Sequence, residues 1–133
     1  MNIVLDTQVT LWMLASDKRL TASARELLSS NENQIYYSPV SVLEIATKHS
    51  ERPHRLSIDE NTFNIMCQKS GLMELPLRAN SVVAMQGTYA DPDDRDGDPF
   101  SHLILAQAMD EGMLFMTHNK DLAKADDEHI FYI

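Results

Sequence analysis

The sequence predicts an α/β fold built on a buried parallel sheet. Short apolar runs alternate with helix-patterned segments along the chain. Runs such as Ile3-Val4-Leu5 and Met113-Leu114-Phe115-Met116 lack the polar alternation of a half-exposed strand, so both faces of the sheet need cover. The length, 133 residues, is about one domain's worth and enough to bury a core, so residues 1–133 read as a single domain.

Each element has its own signal. Residues 2–5 form a first strand that ends at Asp6. Helical patterns follow over 7–14 and 21–28, with Thr21 as an N-cap. Residues 34–37, Gln-Ile-Tyr-Tyr, are rich in β-formers and give a second strand. Ser38-Pro39 supplies a cap and a proline at the first helical position for a helix carrying Val40, Leu43, Glu44, Ile45 and Ala46. Ser57-Ile58-Asp59-Glu60 matches a capping box, and Gly71 ends the helix it opens. A third strand spans 72–75, a short helix lies near 80–86, and an acidic loop runs from 91 to 98. Residues 99–111 form a helix with a stripe of Leu103, Ala106 and Gln107, stopped by Gly112. Strands four and five are expected at 113–116 and 130–132. The methionines, Met66, Met85, Met109 and Met113 among them, suit core filling.

Apolar residues make up 44% and charged residues 23% of the chain, as in an ordinary globular protein, which argues against disorder. The single cysteine, Cys67, allows no intrachain disulfide and fits a reducing compartment. Neither a signal-peptide pattern nor a run of about 20 apolar residues is present, so a soluble, cytoplasmic protein without a membrane partner is expected. A net charge of -9 argues against general nucleic-acid binding, which needs lysine and arginine to neutralise phosphates. An acidic protein can still act on RNA where metal ions bridge it to the phosphate.

Sites in parallel sheets form beyond the carboxyl ends of the strands. Asp6 ends the first strand, Glu44 is the lone charge within 40–46, Asp98 opens the long helix, and Asn119 follows the fourth strand. Carboxylates gathered on one rim repel one another unless a hard cation sits between them, and magnesium or manganese suits such oxygen donors. Two such ions can activate a water and stabilise the leaving oxygen of a phosphodiester. Structural roles are equally open from local sequence. Asp6 and Asp98 are each well placed as N-caps, and Lys48 lies four residues after Glu44 and can pair with it along the helix. Lys48, His49, Arg52, His54 and Arg55 form a basic stretch able to contact RNA phosphates, or simply a solvated loop.

Four segments together resemble PIN domains of the VapC toxin type, ribonuclease toxins of type II toxin–antitoxin systems. They are Asp6-Thr7-Gln8-Val9-Thr10-Leu11-Trp12, Ser41-Val42-Leu43-Glu44-Ile45-Ala46-Thr47-Lys48, the run from Gly97-Asp98-Pro99 to Ala108, and Thr117-His118-Asn119-Lys120-Asp121-Leu122. They occur in the family's order over nearly the whole chain. The resemblance implies a three-layer α/β/α PIN-like domain with a central parallel sheet. It implies a magnesium- or manganese-dependent endoribonuclease, a hydrolase of phosphodiester bonds, with a small antitoxin as partner and a homodimeric state. Asp6, Glu44 and Asp98 then carry catalysis and metal. Ser101, Asn119 and Asp121 are further oxygen donors, and Lys48 and Arg52 contact RNA. Three positions depart from the family pattern. Gln8 replaces a histidine, and Ser101 and Asn119 replace aspartates, so the acidic site is partly eroded and its second metal position weakened. The alternative is a degenerate PIN domain that binds antitoxin or RNA without cleaving it.

Other readings fail on the residues. Aligning Gly97 with the EF-hand glycine puts Pro92 and Leu103 at ligand positions, which excludes that calcium loop. A phosphoacceptor receiver domain needs a lysine after its last strand, and none follows Ile130.

Overall fold

The structure, a computed structural model, describes residues 1–54, 56–89, 98–125 and 128–133. Residues 91–97 of the expected acidic loop and Arg55 of the basic stretch lie outside them. Five strands are present among the described residues: β1 (Asn2–Leu5), β2 (Gln34–Tyr37), β3 (Met73–Glu74), β4 (Leu114–Thr117) and β5 (Ile130–Tyr132). All neighbours pair in parallel, in the order β3-β2-β1-β4-β5. The helices are α1 (Thr7–Leu14), α2 (Ala22–Ser29), α3 (Pro39–Glu51), α4 (Glu60–Lys69), α5 (Ala79–Ala84), α6 (Pro99–Glu111) and α7 (Lys120–Ala125), with a 3₁₀ turn at Met85–Thr88.

The central strand shows why the sheet reads as continuously apolar. Alternate side chains leave a strand on opposite faces. Ile3 and Leu5 pack with Val9 of α1, Ala24 of α2 and Met116 of β4. Val4 packs on the other face with Val40 of α3, Ile104, Leu105 and Ala108 of α6, and Phe115 of β4. A third cluster, Tyr37, Ile45, Phe63 and Cys67, ties α3 and α4 to β2. Burial pushes the Cys67 thiol up to about 12, so this cysteine is an inert core residue. The expected α/β/α layering around a parallel sheet is what the chain forms.

Most helix signals act where they stand. The Thr21 side chain accepts from Ala24 N–H, Ser38 from Val40 N–H, and Gly112 closes α6 in the left-handed conformation that glycine tolerates. Strand four begins one residue later than expected, and three features differ more. Asp59, not Ser57, caps α4: the helix begins at Glu60, and the Asp59 carboxylate accepts from Thr62 N–H. Strand three shrinks to Met73–Glu74. Helix α7 forms where no helix is expected, with the Asn119 side chain accepting from Asp121 N–H at its start. The methionines divide: Met113 is buried, Met66 and Met85 are half-buried, and Met109 is exposed.

Candidate active site

The register of β1 against β4 builds the site. Leu5 lies beside Met116, so the next residues, Asp6 and Thr117, emerge together at the carboxyl rim. Asp6 is 4% exposed and its carboxylate takes three donors. Oδ1 accepts from Val9 N–H at 2.7 Å, which makes Asp6 the N-cap of α1. Oδ2 accepts from the Thr117 hydroxyl and from His118 N–H. Burial raises the Asp6 pKa; the bonds from Thr117, Val9 and His118 oppose that, and the charge of Glu44 adds to it.

Glu44 reaches the same place from α3. It is 4% exposed, yet both its oxygens have partners. The Thr7 hydroxyl donates to Oε1 at 2.7 Å, with Ser41 Oγ 2.9 Å from the same hydroxyl, and Lys48 Nζ donates to Oε2. The cap and ion-pair readings of Asp6 and Glu44 are thus both realised. Asp98 arrives from the start of α6. Its Oδ1 accepts from Phe100 N–H at 2.9 Å and its Oδ2 from the Ser101 hydroxyl at 2.7 Å.

One cleft of about 250 Å³ collects these residues: Asp6, Glu44, Lys48, Asp98, Ser101 and Asn119 all line it. Asp121 does not. It is exposed in the first turn of α7, where its N–H bonds Asn119 Oδ1. Arg52 caps the end of α3 and lines an adjoining cleft with Lys48, Glu51 and Leu56. Thr7, Ser41, Thr117 and His118 position the acids, and the sequence does not single them out. Ser41 stands three residues before Glu44, on the same helix face, and that spacing is a readable signal. Thr117 is legible only once the register of β1 and β4 is known.

The donor chemistry fits a hard divalent cation. Three carboxylates and the neutral oxygens of Ser101 and Asn119 line one cleft, with His118 beside them and neither cysteine nor methionine among the described residues there. The arrangement is not closed around an ion: among the described residues, no group of three or more His, Cys, Asp or Glu side chains is set to hold one. The carboxylate oxygens are held instead by hydroxyls, backbone N–H groups and one ammonium.

The family model of the PIN domain matches residues 3–128, and the chain belongs to that family. Solved structures of the same fold include VapBC2 from Rickettsia felis bound to a DNA fragment from their promoter, with a TM-score of 0.69 and 16% identity over 99% of this chain and 98% of that one. VapBC-1 from nontypeable Haemophilus influenzae follows at 0.66 and 16%, over 99% and 98%. FitAcB from Neisseria gonorrhoeae gives 0.59 and 16%, over 97% and 96%. No curated protein matches the chain. No helix among the described residues is long and apolar enough to cross a membrane.

Proposed function

We propose that this PIN domain, taken as one unit over residues 1–133, is the toxin of a VapC-type toxin–antitoxin pair and cleaves RNA with magnesium or manganese. The observation that carries the proposal is the single cleft lined by Asp6, Glu44 and Asp98, which three separate elements bring together. The four motifs of the VapC type, the PIN family match and the VapBC names among the structural neighbours support it. Asp6, Glu44 and Asp98 hold the cation, with Ser101 and Asn119 as neutral oxygen donors. A cation bound there supplies the charge that lowers the pKa of a water and steadies a leaving oxygen. Thr7 and Thr117 orient the carboxylates through their hydroxyls. Lys48 and Arg52 flank the cleft and steer the RNA phosphates. A small antitoxin partner, a homodimeric state and a cytoplasmic location belong to the same proposal.

Incubating the purified protein with single-stranded RNA and Mn²⁺, with and without a chelator, tests this reading. Chelator-sensitive cleavage supports it, and RNA left intact at millimolar Mn²⁺ contradicts it. A second reading is favoured by Ser101 and Asn119, which bring no charge to the cleft: a PIN domain that binds its antitoxin or RNA without cutting. RNA retained but uncut under the same conditions supports that reading.

A further inference from the structure

Lys48 is assigned above to RNA phosphates, but its contact with Glu44 has no role in the metal reading. It is the one lysine or arginine among the described residues lining the acid cleft, and its ammonium donates directly to Glu44 Oε2. The two ends of this pair differ. The Glu44 side chain is 5% exposed, whereas that of Lys48 is 54% exposed, so the acid is fixed and the base is free to leave. The Thr7 hydroxyl holds the other Glu44 oxygen, which keeps the carboxylate in place when the ammonium departs. Lys48 also has somewhere to go. It lines the adjoining cleft together with Glu51 and Arg52, and Glu51 stands three residues further along α3, the spacing at which helical side chains meet.

We propose, building on the metal-dependent reading above, that Lys48 is an internal counter-cation. It neutralises Glu44 in the metal-free protein, a divalent ion displaces it, and it then swings along α3 to Glu51. The physical reason is a choice between two costs. A buried carboxylate without a partner is expensive, so the metal-free fold needs a cation beside Glu44. An ammonium left beside Glu44 repels a divalent ion entering the same cleft. A tethered, half-exposed lysine meets both demands.

The test is Mn²⁺ titration calorimetry on the wild type, Lys48→Gln and Glu51→Gln, beside thermal melts with and without Mn²⁺. Lys48→Gln removes the competitor but keeps a hydrogen-bond donor near Glu44. It is expected to bind Mn²⁺ about fivefold or more tightly than wild type. It should also melt lower without metal and gain more from metal. Glu51→Gln removes the alternative partner and should weaken Mn²⁺ binding about twofold. Displacement itself is read from labelling by an amine-reactive ester, where Lys48 should label faster once Mn²⁺ is added, while Lys18, Lys69, Lys120 and Lys124 in the same sample do not. If Lys48→Gln fails to fold, the labelling on wild type decides alone. Equal or weaker Mn²⁺ binding by a folded Lys48→Gln, or Lys48 labelling that Mn²⁺ does not raise, overturns the inference and leaves the metal reading standing. Absence of Mn²⁺ binding in all three proteins overturns both.

Discussion

The two walls of the cleft are built to different standards. One wall, from β1, α1 and α3, presents Asp6 and Glu44, each 4% exposed and each held by hydroxyl groups from neighbouring elements. The other, from α6 and the turn after β4, presents Asp98, Ser101 and Asn119, with one formal charge among the three. Asp98 is only half-buried, and its partners, Phe100 N–H and the Ser101 hydroxyl, come from its own helix. Outer partners fix ligand orientation and tune affinity. In the proposed function the first wall anchors the cation, and the second, with fewer charges, is the weaker side of the site.

Removing charge from the first wall should have the largest effect. Asp6→Asn is expected to cut RNA cleavage about a hundredfold or more, since even loss of an outer partner of a metal ligand costs about 10–100-fold. Matching chromatography and circular dichroism would show that the fold survives. Cleavage at the wild-type rate by such a protein would place the chemistry elsewhere.

Restoring charge to the second wall should act in the opposite sense, and less strongly. Ser101→Asp with Asn119→Asp is expected to tighten Mn²⁺ binding and raise cleavage several-fold. The new carboxylate of Asn119→Asp can still accept from Asp121 N–H at the start of α7, as the amide oxygen of Asn119 does. Ser101→Asp, in contrast, removes the hydroxyl that now serves Asp98 and sets two acids side by side. The double mutant should thus melt lower without metal and gain more on its addition. A double mutant with unchanged Mn²⁺ affinity would show that these positions do not face the ion.

The smallest effect is a pH dependence confined to the first wall. Burial raises the Asp6 pKa above its ordinary 3.8, so the folded protein keeps that proton longer than the unfolded chain does. Its contribution to stability is complete below the unfolded value and is lost as pH rises through the folded one. Denaturant melts of metal-free wild type and Asp6→Asn should therefore show a wild-type advantage that shrinks as pH rises from about 4 upward. An advantage that grows over that range would mean that the hydrogen bonds to Asp6 outweigh its burial.

The same contrast explains what can be read from the sequence. Helix α6 is legible at both ends, since Asp98-Pro99 and Gly112 are local signals that act locally. Strands β2 and β5 are legible from short runs rich in β-formers. The identities of Asp6, Glu44 and Asp98 are legible because strand ends, a helix start and an isolated charge mark them. Their partners are harder to see. Thr117 meets Asp6 across 111 residues, and only the β1–β4 register brings them together. The cap of α4 falls on Asp59 because the helix begins at Glu60, two residues later than the Ser57 capping box places it, and overlapping cap signals do not fix that start.

The central claim is that both walls serve one cation, and Mn²⁺ titration calorimetry on wild type, Asp6→Asn and Asp98→Asn tests it most directly. Wild type should bind Mn²⁺, with Asp6→Asn weaker by about tenfold or more and Asp98→Asn weakened by a smaller factor. Binding that neither substitution changes would contradict the account, as would a wild type that takes up no Mn²⁺.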